Sequence, residues 1–367
     1  MVLGLFTMFA ARLGSLNALE QTGSRGVWRR ILGGPLPSAD TLGRVASLID
    51  PSELREIGAQ VYGLLRKKKA LPAPFHGLVA LVFDGHESTC SHRRRCTGCL
   101  TRTLSDGRIQ HYHRYVHAML VGEGWYFLVD AEEMRAGENE VGTALRLLSR
   151  VHQRLPRAYD VVLADSLYAV ASFFQAVLAL GKDVLCPLKQ ESRDLYQDAK
   201  GLFEELPPTE FCRDAVRVRS WDEEDFTSWP TLGRSVRVIK TEEAREIRRQ
   251  LTREVEEETV TWLWVTTLNK ARAPTRAVVR LGHDRWAIEN QGFNEAVNHW
   301  SMDHVYRHEP TAMMVLILIG MLATNLLQAF YRRNLKAPLR QRYTLTHITR
   351  MIAAALYSTP RALAAPS

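Results

Sequence analysis

The sequence predicts an α/β protein with a mixed sheet of five strands flanked by helices. Three strand-like segments follow one another after residue 75, and two more alternate with helices. Consecutive strands indicate an antiparallel meander, whereas strands that alternate with helices indicate parallel additions to the same sheet. The composition agrees, because 46% hydrophobic and 24% charged residues are typical of a globular protein and exclude general disorder.

Residues 1–74 are predicted to be helical. A helix start lies at Asp50-Pro51-Ser52-Glu53, where an N-cap Asp precedes a Pro at the first helical position and a Glu at the third. Apolar residues follow at helical spacing. The helix ends in four basic residues, Arg66, Lys67, Lys68 and Lys69. This run can contact phosphate, or it can be a solvated turn that complements the helix dipole.

Residues 75–199 contain all five strands of the predicted sheet. Short apolar runs bounded by Gly, Pro or Asp predict strands, and longer apolar stretches predict helices. The strands are expected at residues 77–83, 109–121, 125–129, 161–164 and 184–188. Helices are expected at residues 142–151 and 167–180.

The rest of the chain divides into three parts. Residues 200–258 are rich in charge and predict an inserted β-rich subdomain. Residues 259–335 resume the regular pattern, with a further strand at residues 261–268, a long helix from about residue 284 and an apolar helix at residues 311–331. Residues 336–367 are predicted to be a C-terminal tail.

The sequence favours a reducing cytoplasm and no membrane partner. The apolar run at residues 313–323 has about half the length of a membrane span, which predicts a buried helix. Residues 1–11 are apolar but lack the basic start and cleavage site of a signal peptide. Five cysteines in 367 residues are too few for a disulfide scaffold. The net charge of +8 at pH 7 fits a polyanion partner without requiring one.

Three acidic residues are candidates for chemistry. Asp84 and Asp165 each follow a predicted buried strand, where a carboxylate is costly unless it is paired, hydrogen-bonded or bound to a metal. Glu289 lies on the flank of an apolar helix stripe, one turn after Arg285. Singly, each has a structural explanation, as a turn cap or an intrahelical pair. Together, the three carboxylates can bind two Mg²⁺ (or Mn²⁺) ions and promote phosphodiester chemistry.

At these residues the sequence resembles a known family. The segments V-F-D-G-H-E, V-V-L-A-D-S-L-Y and R-W-A-I-E-N-Q-G-F-N resemble the three catalytic blocks of DDE transposases from bacterial insertion sequences. The phrase S-A-D-T-L-G-R-V near the N-terminus is also similar to such proteins. The resemblance covers nearly the whole chain and implies an RNase H-like, retroviral-integrase-like catalytic core. In the insertion-sequence-four-like group a β-rich insertion separates the second Asp from the Glu, which matches residues 200–258.

The resemblance also implies roles for individual residues. The metal-binding catalytic triad would be Asp84, Asp165 and Glu289. Arg285 matches the signature arginine, which contacts DNA near the active site. The same signature has a Tyr three residues before the Arg and a Lys seven residues after the Glu, where this chain has Gly282 and Ala296.

A cysteine-rich loop lies between the first two predicted strands. Four residues of this loop can supply zinc ligands: Cys90, His92, Cys96 and Cys99, with His111 or His113 as substitutes. Zinc would staple a hairpin loop of about twenty residues, and reduced thiols in a basic loop are the alternative. The loop also contains basic residues suited to DNA phosphate, namely Arg93, Arg94 and Arg95.

These features predict a transposase that cuts double-stranded DNA at transposon ends and joins the ends to target DNA. Water would cut one strand, and the freed 3′ hydroxyl would attack the target. The N-terminal region would bind the ends, a homodimer would hold two of them, and the protein would act at the bacterial nucleoid. The alternatives are an RNase H-like nuclease that never joins strands, an inactive transposase-derived DNA-binding protein, and a zinc-stapled interaction module. The absent Tyr and Lys give some support to the inactive protein.

Overall fold

In the computed structural model, a mixed β-sheet lies between two layers of helices. The structure describes residues 1–22, 25–71, 73–123, 125–214, 216–248, 255–288 and 304–357.

Five helices precede the sheet. They are α1 (Val2–Ala10), α2 (Leu16–Glu20), α3 (Arg25–Leu32), α4 (Ala39–Ala46) and α5 (Pro51–Lys67). The Asp50 carboxylate accepts the N–H of Ser52 at 2.8 Å, and Pro51 lies in the first turn of α5. The helix start predicted at residues 50–53 is therefore confirmed, and its physical cause is the local satisfaction of an orphan N–H group.

The strands and the later helices alternate along the chain. The strands are β1 (Ala80–Ser91), β2 (Leu100–Thr103), β3 (Ile109–Gly122), β4 (Trp125–Glu133), β5 (Val161–Leu163), β6 (Asp183–Pro187), β7 (Thr209–Arg213), β8 (Val216–Phe226), β9 (Val236–Arg248) and β10 (Val255–Thr266). The helices are α6 (Glu140–Arg154), α7 (Ala171–Ala179), α8 (Asp194–Glu205), α9 (Thr275–Ile288), α10 (Pro310–Arg333), α11 (Ala337–Arg342) and α12 (Leu345–Tyr357). Helix α9 begins earlier than the helix predicted from about residue 284.

The order of strands in the sheet is β2-β3-β1-β5-β6-β10-β9-β8-β7, with β4 also paired to β3. Strands β1, β5 and β6 are parallel, and β3 and β4 add an antiparallel meander. The five predicted strands correspond to β4-β3-β1-β5-β6. The predicted α/β class with an RNase H-like mixed sheet is thus confirmed.

The predicted number of five strands is too low, because the described residues form a ten-stranded sheet. Strand β10 pairs antiparallel with β6, with Trp264 opposite Pro187. A long hairpin then joins β10 to β9, and β8 and β7 follow. The β-rich stretch before β10 therefore extends the central sheet.

Apolar side chains of the sheet feed two cores, one on each face. Because side chains alternate along a strand, Val82 and Leu163 point to one face whereas Phe83 and Val162 point to the other. Helices α1, α4, α9 and α10 cover the first face. Helices α6, α7 and α8 cover the second face.

Helix α10 is long and apolar enough to cross a membrane, but it is buried inside the fold. In its most apolar window, 89% of the residues are buried. Asn325 accepts the N–H of Leu128 at 2.9 Å and donates to the carbonyl of Leu128 at 2.7 Å. A polar side chain that bonds strand β4 in this way indicates a core helix, as the short apolar run predicted.

Arginines of α5 and α6 bind buried acidic residues of β4. Arg55 and Arg150 donate to the Asp130 carboxylate at 2.8 and 2.7 Å. Arg146 and Arg150 both contact Glu132. Asp130 is 3% exposed, so these pairs compensate a buried charge and fix the two helices to the sheet.

We expect Glu138→Gln to destabilise the fold by about 1–2 kcal/mol at neutral pH. The Arg146 guanidinium donates to the Glu138 carboxylate at 2.8 and 2.6 Å and lowers the pKa of that carboxyl from 4.5 to about 2. The contribution is therefore complete above pH 4.5 and is lost as the pH falls towards 2. Urea unfolding of wild type and variant at pH 7 and pH 3 measures this change in the free energy of unfolding.

Glu204→Gln, on the exposed face of α8, is the matched control and should change little at either pH. An equal loss of stability in Glu138→Gln at pH 7 and pH 3 would contradict the assigned ion pair.

Candidate active site

Asp84 and Asp165 lie at matching positions on neighbouring parallel strands. Val82 of β1 is opposite Leu163 of β5, and each aspartate follows two residues later. Adjacent strands are about 4.8 Å apart, and residues two apart on a strand share a face. Both aspartates are half-buried. The two carboxylates therefore point to the same face of the sheet, at neighbouring positions.

The prediction that Asp84 ends its strand is wrong. Strand β1 continues to Ser91, because its pairing with β3 extends beyond Asp84, which is opposite His117. Asp165, in contrast, directly follows the short β5 and caps the 3-10 turn Ser166–Tyr168. The two aspartates thus occupy matching positions along the strand direction, although β1 is much longer than β5.

Backbone amides orient both carboxylates. The N–H of Gly85 donates to Asp84 Oδ1 at 3.0 Å, and the N–H of Ser166 donates to Asp165 Oδ1 at 2.6 Å. A hydrogen bond from the adjacent amide limits side-chain rotation. Both carboxylates are therefore held as oriented oxygen donors.

Glu140 of α6 connects the two aspartate segments from the opposite face, and the sequence analysis missed it. Its Oε1 accepts the Tyr168 O–H at 2.9 Å, and its Oε2 contacts Arg114. Burial and the nearby Glu140 carboxylate raise the pKa of Tyr168. A Cβ added to Gly85 would lie 2.3 Å from Glu140 Oε2, so a larger residue after Asp84 would displace the Glu140 carboxylate. The buried Glu140 at a helix start gave no sequence signal.

Helix α9 brings Arg285 to Asp165. Arg285 Nη2 lies 3.8 Å from Asp165 Oδ1, and the Arg285 side chain is only 7% exposed. A guanidinium at this position supplies positive charge beside the carboxylates. The contact also shows that the end of α9 lies over the carboxyl end of β5.

Gly282, where the family signature has Tyr, packs directly against Trp264 of β10. A Cβ at Gly282 would lie 2.6 Å from Trp264 Nε1. Trp264 is 1% exposed and fills this space. Helix α9 therefore requires a glycine here to approach the sheet.

The third predicted carboxylate, Glu289, lies outside the described residues, as does Ala296. Glu289 directly follows Ile288, the last described residue of α9. In sequence it is four positions after Arg285, which itself contacts Asp165.

The predicted cysteine and histidine ligands are partly wrong. Cys90 is exposed on β1, opposite Tyr112, and the exposed His92 contacts the carbonyl of Ile109 through Nδ1 at 3.0 Å. Neither residue belongs to the cluster of possible metal ligands found in the described residues. That cluster comprises Cys96, Cys99, His113 and His308. His113 was a predicted substitute, and His308 was missed.

A comparison with protein families identifies the chain. A family described as "Transposase DDE domain" matches residues 99–326, more than half of the sequence. The chain belongs to the DDE transposase family. Members act on DNA and generally use divalent metal ions. The chain matches none of the curated proteins with which it was compared.

Two basic segments of this DDE-family chain are exposed. The residues of the first, Arg66, Lys67, Lys68 and Lys69, lie at and beyond the C-terminal end of α5. The second, Arg93, Arg94 and Arg95, lies in the loop after β1, where the backbone amides of Arg93 and Arg94 donate to Ser91 Oγ. The exposed guanidinium and ammonium groups of both segments are accessible to an anionic partner.

Proposed function

We propose that this chain is a transposase that cuts DNA at transposon ends and transfers the cut strand to target DNA. The proposal includes membership of the insertion-sequence-four-like group of bacterial insertion sequences. One observation carries it. Asp84 and Asp165 lie at matching register on neighbouring parallel strands, and Arg285 of α9 approaches the second aspartate.

The donor set at this position fits Mg²⁺ or Mn²⁺. Both ions prefer carboxylate oxygens, and the two aspartates are partly exposed and oriented by backbone amides. We propose that Asp84, Asp165 and Glu289 hold two such ions. Ions held there stabilise the attacking and leaving oxygens of an in-line displacement at phosphorus.

The side chains around the carboxylates prepare the site. The guanidinium of Arg285 reduces repulsion between the carboxylates before DNA binds and places positive charge where a phosphate would lie. Contact of Arg285 with DNA is part of the proposal. Glu140 of α6 packs closely against Gly85 and pairs with Arg114 of β3, so α6 supports the segment after Asp84. Support of this kind would help to keep reacting groups in position.

The exposed basic segments are proposed to bind DNA phosphate. Arg93, Arg94 and Arg95 follow the strand that carries Asp84, and residues 66–69 form the second basic segment. Residues 1–74 would bind transposon ends, and residues 75–199 and 259–335 would form the catalytic core around the insertion at 200–258. We further propose a homodimer in the DNA complex and action in the bacterial cytoplasm, at the nucleoid.

The DNA that flanks the gene tests this function. We expect short inverted repeats bracketed by a direct duplication, because a transposase acts on the ends of its own element. Duplexes that carry these repeats should be cleaved in Mg²⁺, and pre-cut ends should join to target DNA.

The outcomes separate the alternatives. Cleavage without joining of pre-cut ends would identify a nuclease. Binding of the ends without nicking in Mg²⁺ or Mn²⁺ would identify an inactive DNA-binding protein. Either result would contradict the proposed strand transfer, and scrambled ends of equal length are the control for specificity.

A further inference from the structure

We propose that Cys96, Cys99, His113 and His308 bind one structural Zn²⁺ ion. The four ligand atoms lie within 4.8 Å of one another. They come from three parts of the chain: the loop after β1, strand β3 and the segment before α10. Two thiols and two imidazoles at one point are the ligand set of many four-coordinate zinc sites.

The distances match a tetrahedron around a zinc ion. Zinc bonds of about 2.3 Å to sulfur and about 2.0 Å to nitrogen predict ligand separations of about 3.8 Å for S···S, 3.5 Å for S···N and 3.3 Å for N···N. The Cys96 and Cys99 sulfurs are 3.7 Å apart, and the His113 and His308 Nε2 atoms are 3.2 Å apart. His113 Nε2 lies 3.3 Å from each sulfur, and His308 Nε2 lies 3.3 Å from Cys99 Sγ.

Neighbouring residues support the same geometry. Glu133 Oε1 lies 2.6 Å from His113 Nδ1, so the carboxylate fixes the ring with Nε2 towards the thiols. A carboxylate behind a histidine ligand is common in zinc sites and increases the basicity of the ligand. Gly98, between the cysteines, packs so closely that a Cβ would lie 3.0 Å from Pro310 and 3.1 Å from Glu133. The Cys96–Cys99 turn is thus fitted to its surroundings.

The site is suited to a structural ion. Four protein ligands complete a tetrahedron and leave no position for substrate. His113 is fully buried, and the two cysteines are partly buried. Glu309, the residue after His308, caps α10 by accepting the N–H groups of Thr311 and Ala312. The ion would therefore anchor the start of the central buried helix.

The ion also has a consequence for the catalytic site, which rests on the proposed function. His308 follows the Glu289 segment in sequence, whereas His113 is on β3, the strand paired with the Asp84 strand. Zinc would hold the chain after Glu289 against the hairpin that carries Asp84. The ion would in this way stabilise the hairpin that carries Asp84 without touching DNA.

Elemental analysis of the purified full-length chain tests the site directly. We expect about one zinc ion per chain. Cys99→Ser and His308→Ala should each lose the ion, whereas Cys90→Ser and His92→Ala, which alter the same types of residue outside the cluster, should keep it. Unaltered zinc content and affinity in His308→Ala would overturn the assignment. The assignment would also be overturned if the wild-type chain took up no zinc after equilibration with ZnCl₂ under reducing conditions.

Two measurements do not depend on variants that could fail to fold. The wild-type chain loaded with Co²⁺ should show the absorption of a tetrahedral thiolate complex, and the absence of that absorption from a Co²⁺-loaded chain would overturn the ligand set. Glu133→Gln keeps all four ligands and should weaken zinc binding about 10–100-fold, measured by chelator competition. Unchanged zinc affinity in Glu133→Gln would contradict the support assigned to that carboxylate. Metal content does not depend on strand transfer, so these results can fail or succeed separately from the proposed function.

Discussion

Asp84→Asn and Asp165→Asn should each reduce DNA cleavage and strand transfer by at least about a thousandfold. Asparagine keeps the size of the side chain but removes the charge and one carboxylate oxygen. Stabilisation of developing charge at phosphorus by bound divalent ions is worth several kcal/mol, and each factor of ten in rate corresponds to about 1.4 kcal/mol. The measurement is the rate of cleavage of end-bearing duplexes at saturating Mg²⁺.

The matched control is Asp183→Asn. Asp183 begins β6, opposite the first residue of β5 and so at the other end of the strands from Asp165, and accepts hydrogen bonds from Thr267 and Arg272. This variant loses the same charge but should keep the cleavage rate. Binding of the ends should persist in all three variants, because basic residues supply it. A variant at Asp84 or Asp165 that cleaves at the wild-type rate would remove that residue from the proposed triad, and Glu289→Gln tests the third position in the same assay.

The second large effect is expected in Arg237→Met, which should reduce the free energy of unfolding by about 3–5 kcal/mol. Arg237 is 2% exposed and donates to both carboxylate oxygens of Asp222, at 2.7 and 2.5 Å. It also donates to the carbonyls of Leu268 and Ala273, at 3.2 and 2.7 Å. Methionine fills much of the space but leaves Asp222 and both carbonyls without this donor.

Loss of the Arg237–Asp222 ion pair should also affect the active site. The carbonyls that Arg237 binds belong to the segment between β10 and α9, and Thr275, the first residue of α9, donates to Asp222 Oδ2 at 2.6 Å. This ion pair therefore joins the outer strands of the sheet to the helix that carries Arg285. We expect Arg237→Met to retain less cleavage activity at temperatures where wild type is fully active.

Urea unfolding measures the effect, and Arg245→Met is the control. Arg245 is on the same strand and pairs with Glu258 at 2.6 Å, but both side chains are largely exposed, so its loss should be within about 1 kcal/mol. Adding Asp222→Asn to Arg237→Met should recover part of the stability, because the unpaired buried charge is then removed. Equal losses in Arg237→Met and Arg245→Met would contradict the buried pair.

Much of the core could be predicted from the sequence because its signals are local. The five strands predicted at residues 77–83, 109–121, 125–129, 161–164 and 184–188 are marked by local patterns, and they are contiguous in the sheet. The cap at Asp50 depends only on residues within one turn. Three short acidic segments resemble those of the DDE family, and the match over residues 99–326 shows that the chain belongs to that family. Local pattern and motif order therefore determined the α/β class and the family.

The tertiary structure decided what depends on residues far apart in the chain. Within the described residues the sheet extends to ten strands because β10 pairs with β6, and the periodicity of either strand does not specify its partner. His308 joins the cysteine cluster, and Cys90 and His92 do not, because the fold brings the start of α10 to the β1–β3 hairpin. Glu140 connects the two aspartate segments because the fold brings the start of α6 to Gly85 and Tyr168. Ligand sets and buried pairs arise from contacts between distant segments, which hydrophobic spacing along the chain does not encode.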